Sequence, residues 1–399
     1  MKTTQIAVIG LGTAGVQTLC HYITWSKNTV VTSIHAQSIP SVGIGESTNG
    51  GFVDTLEQGL NFELYKSVKQ GDMDCTLKLG TQYINWRNYT FQTPLLNGSA
   101  AIHFNTHTLQ EFALSRLRKR WGDKFKELTG VVDIVENSSE HVILEINGLN
   151  YAFDYVIDCR GWPKDYTDYT MVNQPVNHCL VHNVMEGADW HVTKHIATEN
   201  GWMFGIPLTT RTSYGYLFND TLTHPDIARE NFSKTINVPV DQLDTIEYKF
   251  NSYYTNKLID NRIIKNGNRA VFFEPMFANS LFIYQKANLL SWDYIFGKLP
   301  KIPQTINLIN AQFAAQCKSL EEMIAFHYHG GSTYDTPFWK MASEISKAKL
   351  DSSIDMQNML ATFKRMREEN IHEPGQWVYP TRGLEIVDIG FDYNYFSRR

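Results

Sequence analysis

Two stretches of the chain place ligand-holding residues at spacings that chemistry can use. The first is Gly10-Leu11-Gly12-Thr13-Ala14-Gly15, which follows an apolar strand pattern and opens a helical one. Glycines at that spacing permit a tight turn and close backbone approach, and the N–H groups of the helix start attract a pyrophosphate. The acid expected at the end of the next strand is missing. His35 stands there, after Val30-Val31-Thr32-Ser33-Ile34 and before Ala36. An imidazole can exchange a hydrogen bond with a ribose hydroxyl, or it can simply stand solvated at a strand end. The second stretch is Ile39-Pro40-Ser41-Val42-Gly43-Ile44-Gly45-Glu46-Ser47-Thr48-Asn49-Gly50. Its glycines and hydroxyls suit close contact with a planar, hydrogen-bonding ring, and a structural loop is the plain alternative.

The elements that must hold these residues follow from periodicity. Residues 5–35 read as strand (Gln5 to Ile9), turn, helix (Ala14 to about Ser26) and strand (Thr29 to Ile34), a βαβ opening. Residues 109–128 read as one amphipathic helix. Strands are expected over His141–Ile146 and Tyr151–Asp158, joined by a turn at Asn147-Gly148. Segment 190–260 is strand-rich. Helices are expected over Leu320–Tyr328, Trp339–Lys349 and Ile354–Asn370, followed by loop and tail over 371–399.

Composition bounds the function classes. The 399 residues allow two or three domains and a sizeable core without disulfide or metal staples. A formal net charge of -5, from 36 Lys plus Arg against 41 Asp plus Glu, argues against nucleic acid as a partner. Charged residues are 19%, below the usual ~25%, whereas aromatics reach 13%, enough rings for a core or for a pocket around a planar group. Five cysteines without a CxxC pair fit a reducing compartment. No apolar run approaches the ~18 residues of a membrane span, and the Ile6 to Val16 run is broken by glycines, so a cytoplasmic protein is expected. His178, Cys179, His182, His191 and His195 match no zinc spacing, and no metal site is expected. No GxSxG elbow offers a hydrolase nucleophile.

Taken in order, further motifs carry a resemblance. GLGTAG and IPSVGIGEST are followed by Thr76-Leu77-Lys78-Leu79-Gly80 running into Asn85-Trp86, and later by Tyr155-Val156-Ile157-Asp158-Cys159-Arg160-Gly161. Then come Gly201-Trp202-Met203-Phe204-Gly205-Ile206-Pro207-Leu208, Glu274-Pro275-Met276 and Tyr334-Asp335-Thr336-Pro337-Phe338-Trp339. The series, from residue 6 to about 340, resembles the flavin-dependent halogenases of the tryptophan-halogenase type.

The resemblance implies an α/β fold, an FAD-binding Rossmann-like (GR2-type) domain with a second, mainly helical substrate-binding region. The expected borders are 1–165 with 262–298 for the FAD domain, 166–261 for a strand-rich lining segment, and 299–399 for the helical region. It also implies reduced FAD from a separate flavin reductase, oxygen, a halide ion (chloride, bromide or iodide) and a small aromatic substrate. The hypohalous acid formed is activated by a lysine, which matches Lys78. Alternation with Leu77 and Leu79 puts Lys78 on the face away from both, where a surface lysine is the plain reading. Flavin contacts carry over to Gly10, Gly12, Thr13, Ala14, Gly15, His35, Ala36, Ile39, Glu46, Ser47, Pro275 and Leu281. Halide binding falls to Asn279 and Ser280, and a wall between flavin and substrate to Trp202, Phe204, Ile206 and Pro207.

The chain departs from the family pattern in places. Phe204 replaces the second Trp of WxWxIP, Arg160 a Ser, and the usual Gly near the halide amides is absent. Phe277 stands where tryptophan-specific members carry Glu, which implies a substrate other than free tryptophan. The 88–108 segment and the whole chain are shorter than in typical members. Two rivals stay open: a flavin monooxygenase that hydroxylates an aromatic ring, and a catalytically silent flavoprotein acting as a binding module. The oligomeric state is not legible.

Overall fold

The structure is a computed structural model and describes residues 2–36, 38–39, 43, 46–87, 90–95 and 99–369. The expected tail after 371 lies outside the described residues, as do Pro40, Ser41, Val42, Ile44 and Gly45 of the second glycine-rich stretch. Two compact units are each gathered from three stretches. The first takes Met1–Thr76, Ala101–Met171 and Tyr253–Cys317; the second takes Leu77–Ala100, Val172–Ser252 and Lys318–Arg399. These borders differ from those drawn on sequence. The first unit's last stretch begins before 262 because the pair Ile259–Asp260 and Ile263–Lys265 forms one edge of its main sheet. It extends past 298 because the Asn310 side chain brackets Ile259, accepting from its N–H at 2.8 Å and donating to its carbonyl at 3.1 Å.

In the first unit the main sheet has six strands, in the order Ile259–Asp260, Ile263–Lys265, Tyr155–Asp158, Thr4–Ile9, Thr29–His35 and Phe125–Thr129. Pairing is parallel except at the Ile259–Asp260 edge. A parallel sheet must be covered on both faces, which explains the buried apolar run Ile6–Ile9 within Thr4–Ile9. One cover is the helix Thr13–Trp25, packed on Gly50–Leu60 and Ser280–Phe296. The other is an antiparallel sheet of Val132–Asn137, Val142–Ile146 and Leu149–Phe153, which shares a core of Ala7, Ile9, Ile34, Leu144, Ile146 and Val156 with the main sheet.

Two expectations fail here. The strand expected over Tyr151–Asp158 is two strands in two sheets, Leu149–Phe153 and Tyr155–Asp158. They part at Asp154, whose carboxylate accepts the Gln5 N–H at 2.8 Å while its own N–H donates to the Gln5 carbonyl. The helix expected over 109–128 is Thr106–Trp121. The Asn105 side chain caps its start, accepting from His107 N–H, and Gly122 ends it at a φ of 49°. Phe125–Thr129 then joins the main sheet.

The second unit is built on a seven-stranded sheet rather than on helices alone. Its order is Ile246–Lys249, His178–Val184, Thr212–Phe218, Gly201–Pro207, Val192–Thr198, Gly80–Ile84 and Phe91–Pro94. One face packs Leu180, Met203, Tyr216 and Phe218 against Phe232 of the helix Pro225–Ile236. The other face carries Tyr83, His195, Trp202 and Phe204. The remaining helices are Pro303–Tyr328, whose residues from Lys318 onward belong to this unit, then Pro337–Ser352 and Ile354–Glu369.

Candidate active site

In the first unit the glycine turn joins Thr4–Ile9 to the helix Thr13–Trp25. Gly10 has a φ of 96°, and a Cβ on it would lie 2.8 Å from the Cys159 carbonyl oxygen, so only glycine fits. Gly15 lies against the turn: a Cβ there would be 2.0 Å from the Gly10 oxygen. Gly12 is different, with open space around its absent Cβ. It is the N-cap of the helix and offers no side-chain hydrogen bond, and the first turn holds no acid. The helix start therefore carries no capping side chain and has open space beside Gly12, which fits a pyrophosphate. Ala14 packs on Gly267, where a Cβ would come within 2.6 Å of it.

Other expected flavin contacts gather in the same unit. His35 ends its strand half-buried, its carbonyl accepting from Gly130 N–H at 3.0 Å, and burial lowers its imidazole pKa. Glu46 and Ser47 pair antiparallel with Phe104 and His103. Burial pushes the Glu46 carboxyl up to about 7, against the pull of the Thr106 hydroxyl that donates to it at 3.2 Å. Glu46 is thus a carboxyl poised to hold a proton near neutrality. Ile39, by contrast, is exposed.

Asn279 and Ser280 open the helix Ser280–Phe296. Asn279 turns its amide back, donating to the Met276 carbonyl at 2.8 Å, so its side chain does not cap the helix. Pro275 precedes the short turn Met276–Ala278, and the Leu281 carbonyl accepts from Gln17 at 3.2 Å. The Phe277 side chain lies outside what the structure describes.

Arg160, a departure from the family pattern, has a structural explanation. Asp158 is buried at the end of its strand, and the Arg160 guanidinium donates to both carboxylate oxygens at 2.9 Å. Arg269 adds a third contact at 3.2 Å. A bidentate, hydrogen-bonded pair is what a buried carboxylate needs.

The second unit holds the lysine. Lys78 is only 3% exposed while Leu79 is 46% exposed, so the alternative of a surface lysine does not hold. Lys78 and Leu79 do lie on opposite faces, and the strand breaks between Lys78 and Gly80, where Leu79 is turned out. Burial alone pushes the Lys78 amine down to about 7. Beyond the break, Gly80 pairs with Val192 and Tyr83 with His195 in parallel register.

Around Tyr83 stands an aromatic block that sequence reasoning missed. His195 lies edge-on to Tyr83 at 5.1 Å and 4.9 Å from Trp202. His327 stacks on Tyr83 at 5.8 Å and donates its Nδ1 proton to the Met323 carbonyl at 2.7 Å. Trp86 meets Trp339 at 5.1 Å and Trp202 at 6.3 Å. The Trp202 indole donates to the Tyr328 hydroxyl at 2.7 Å. Every residue of Gly201–Pro207 is buried, Ile206 and Pro207 included. Phe204 lies over Gly215, its cross-strand partner, where a Cβ would come within 2.1 Å of the ring. His191 and His195, an unmatched metal pair by their spacing, part company: the first is exposed and the second buried. Spacing within one segment could not show this block, because sheet register and the helix Pro303–Tyr328 bring its parts from five stretches of chain.

Comparison with known proteins bears on both sites. The family model described as tryptophan halogenase matches residues 5–128 and 88–390. A tryptophan 6-halogenase, ThaL of Streptomyces albogriseolus, is 21% identical over 427 aligned positions, covering 86% of this chain and 79% of the relative. The tryptophan 7-halogenase RebH of Lentzea aerocolonigenes is 20% identical, covering 89% and 82%. Among solved structures, a tryptophan halogenase from Shewanella frigidimarina superposes with a TM-score of 0.81 at 18% identity, covering 100% of this chain and 90% of that one. The flavin-dependent halogenase BrvH from Brevundimonas gives 0.80 at 15%, covering 100% and 91%. The solved structures establish the shared fold, and a family model matched over most of the length establishes descent: the chain belongs to the tryptophan halogenase family.

Proposed function

We propose that the protein is a two-component halogenase that takes reduced FAD from a separate reductase and halogenates an electron-rich aromatic or heteroaromatic ring. The observation that carries the reading is Lys78, an amine buried and held near pKa 7, where a surface lysine would be locked as ammonium. When bound, reduced FAD supplies the electrons with which oxygen oxidises the halide.

The chain's own residues divide the remaining work. The open helix start at Gly12 and Thr13 holds the pyrophosphate, with Gly10 and Gly15 keeping the backbone close. Glu46 and Ser47 lie along the strand edge beside the ring-binding stretch, and Glu46 holds or releases a proton near neutral pH. The backbone amides at Asn279 and Ser280 take the halide. Trp202, Phe204, Ile206 and Pro207 suit a stiff partition, since all four are buried in one strand and Trp202 is fixed by its bond to Tyr328. Lys78 donates a hydrogen bond as ammonium or reacts as free amine; at pH 7 both forms are populated. Phe277 in place of an acid favours phenolic, pyrrolic or other neutral rings over free tryptophan.

The deciding test is a substrate panel with FAD, a generic flavin reductase and chloride, bromide or iodide, alongside Lys78→Ala. The variant is expected to bind FAD and reoxidise it while losing halogenation by at least about 100-fold. Halogenation at the parent rate under scavenging of free hypohalous acid would remove Lys78 from the mechanism. A hydroxylated product that forms without halide would instead make the protein a flavin monooxygenase.

A further inference from the structure

Neither the flavin contacts nor the lysine block gives a task to the start of the helix Thr106–Trp121, in the first unit. We propose that Thr106 is the positioning residue for Glu46. Its hydroxyl fixes one carboxyl oxygen at the helix start and keeps the acid able to give up its proton. The proposal rests on Glu46 as the proton-holding group of the proposed chemistry.

The placement comes from a strand pair and a helix cap. Glu46 pairs with Phe104, and Ser47 with His103, in antiparallel register. Two residues past Phe104 the chain has turned into the helix, and Thr106 is its first residue. Capping falls to Asn105, whose side chain accepts from His107 N–H at 3.1 Å. That leaves the Thr106 hydroxyl for Glu46: the residue is 1% exposed and donates to Oε1 at 3.2 Å. The next residue braces the same stretch of chain. A Cβ on Gly43 would fall 2.5 Å from His107 Nε2, so the glycine lies against the imidazole. Consecutive residues of one helix start thus hold Gly43 and Glu46.

Other polar groups around Glu46 are engaged differently. His103 turns its ring toward Thr76, Nδ1 lying 3.3 Å from the hydroxyl. Tyr284, whose pKa is raised by burial and in part by the Glu46 charge, donates its own proton to Asn268 at 2.7 Å. Thr13, at the start of the glycine-turn helix, favours the ionised carboxyl less than Thr106 does. A hydroxyl donor stabilises the carboxylate more than the neutral acid, whereas burial favours the neutral acid. With an apolar residue at 106, burial is opposed only by Thr13, and the acid keeps its proton to higher pH.

The test uses the full chain with labelled glutamate and threonine, read by NMR against pH, independently of halogenation. The Glu46 carboxyl signal is identified by its loss in Glu46→Gln. In Thr106→Val its midpoint is expected to rise by about 0.5–1.5 pH units, and in Thr106→Ser to stay within about 0.3 of the parent. The working enzyme gives a second reading. The limb of the pH–rate profile that Glu46→Gln removes should move in Thr106→Val by the same amount as the midpoint. An unmoved midpoint in folded Thr106→Val, or equal shifts in the serine and valine variants, overturns the proposal. So does a limb that stays in place while the midpoint moves. Should Thr106→Val not fold, the parent decides: the Thr106 methyl signal is expected to follow the Glu46 titration, and a signal flat through it overturns the proposal. A pH–rate profile unchanged by Glu46→Gln would instead refute the task given to Glu46, and with it the positioning role. A protein that halogenates nothing would refute the proposed function and leave the carboxyl midpoint to judge the bond.

Discussion

The glycine turn of the first unit and the lysine block of the second are built on opposite principles. The turn works through backbone: Gly10 and Gly15 are fixed by neighbours within a few residues or by Cys159, just past the adjacent strand, while Gly12 leaves open space. The block works through side chains whose properties come from burial. Lys78, His195 and His327 have their pKa values pushed down by the same dry surroundings. The first site therefore adds little strain to an ordinary βαβ unit, whereas the second carries an ionisable amine that the fold would be more stable without. Functional groups of that kind are expected to cost stability.

The contrast breaks most sharply at the glycines. Gly15→Ala forces a Cβ to within 2.0 Å of the Gly10 oxygen, a backbone atom that cannot swing aside. A loss of more than about 3 kcal/mol in chemical denaturation is expected, together with loss of FAD binding. Lys78→Met should move the other way. Its folded-state pKa is depressed from 10.5 to about 7, so the unfolded chain binds a proton that the folded chain does not. Stability consequently rises with pH between about 7 and 10.5, and removing the amine removes that slope. At pH 7 the variant is expected to be more stable by a few kcal/mol, on the order of 1.4 kcal/mol for each pH unit that separates the folded from the unfolded value, while being inactive. A variant no more stable than the parent would mean that Lys78 is solvated.

Legibility followed the same division. The glycine turn, its strand and its helix were readable because all the determinants are local, and the ends of Thr4–Ile9 and Thr13–Trp25 fell within a residue or so of expectation. Lys78 was found only through flanking motifs, without which a surface lysine was the plain reading. Tyr83 was not singled out, Trp86 entered only within a motif and His195 only as a rejected zinc ligand, since nothing within any one segment joins them into a block. The split at Asp154 escaped for a related reason: strand propensity continues through it, and only the long-range bond to Gln5 divides it.

Within the partition strand the effect should be intermediate. Gly215→Ala places a methyl about where the Phe204 ring lies, so the ring must leave its position over the sheet. A loss of about 1–3 kcal/mol is expected, with halogenation falling more than FAD binding. Equal losses in both would show that Phe204 is ordinary core.

The smallest effect tests the first unit for the feature that defines the second, a titrating group held off its ordinary value. Glu46 has a folded pKa raised from 4.5 to about 7, so the folded chain binds the extra proton. Its stability contribution is full below about 4.5 and is lost as pH rises through about 7, opposite in sign to the slope Lys78 imposes above 7. Because Glu46 is only half-buried, solvent screening reduces the effect of the shift. Glu46→Gln should flatten that decline, with a gain of roughly 1–2 kcal/mol at pH 8 and none at pH 4, in paired denaturation curves. The Thr106 bond survives in the variant, because the amide carbonyl can still accept it. A gain of equal size at both pH values would assign the effect to packing. The first unit would then be a purely backbone site, and ionisation would be confined to the lysine block.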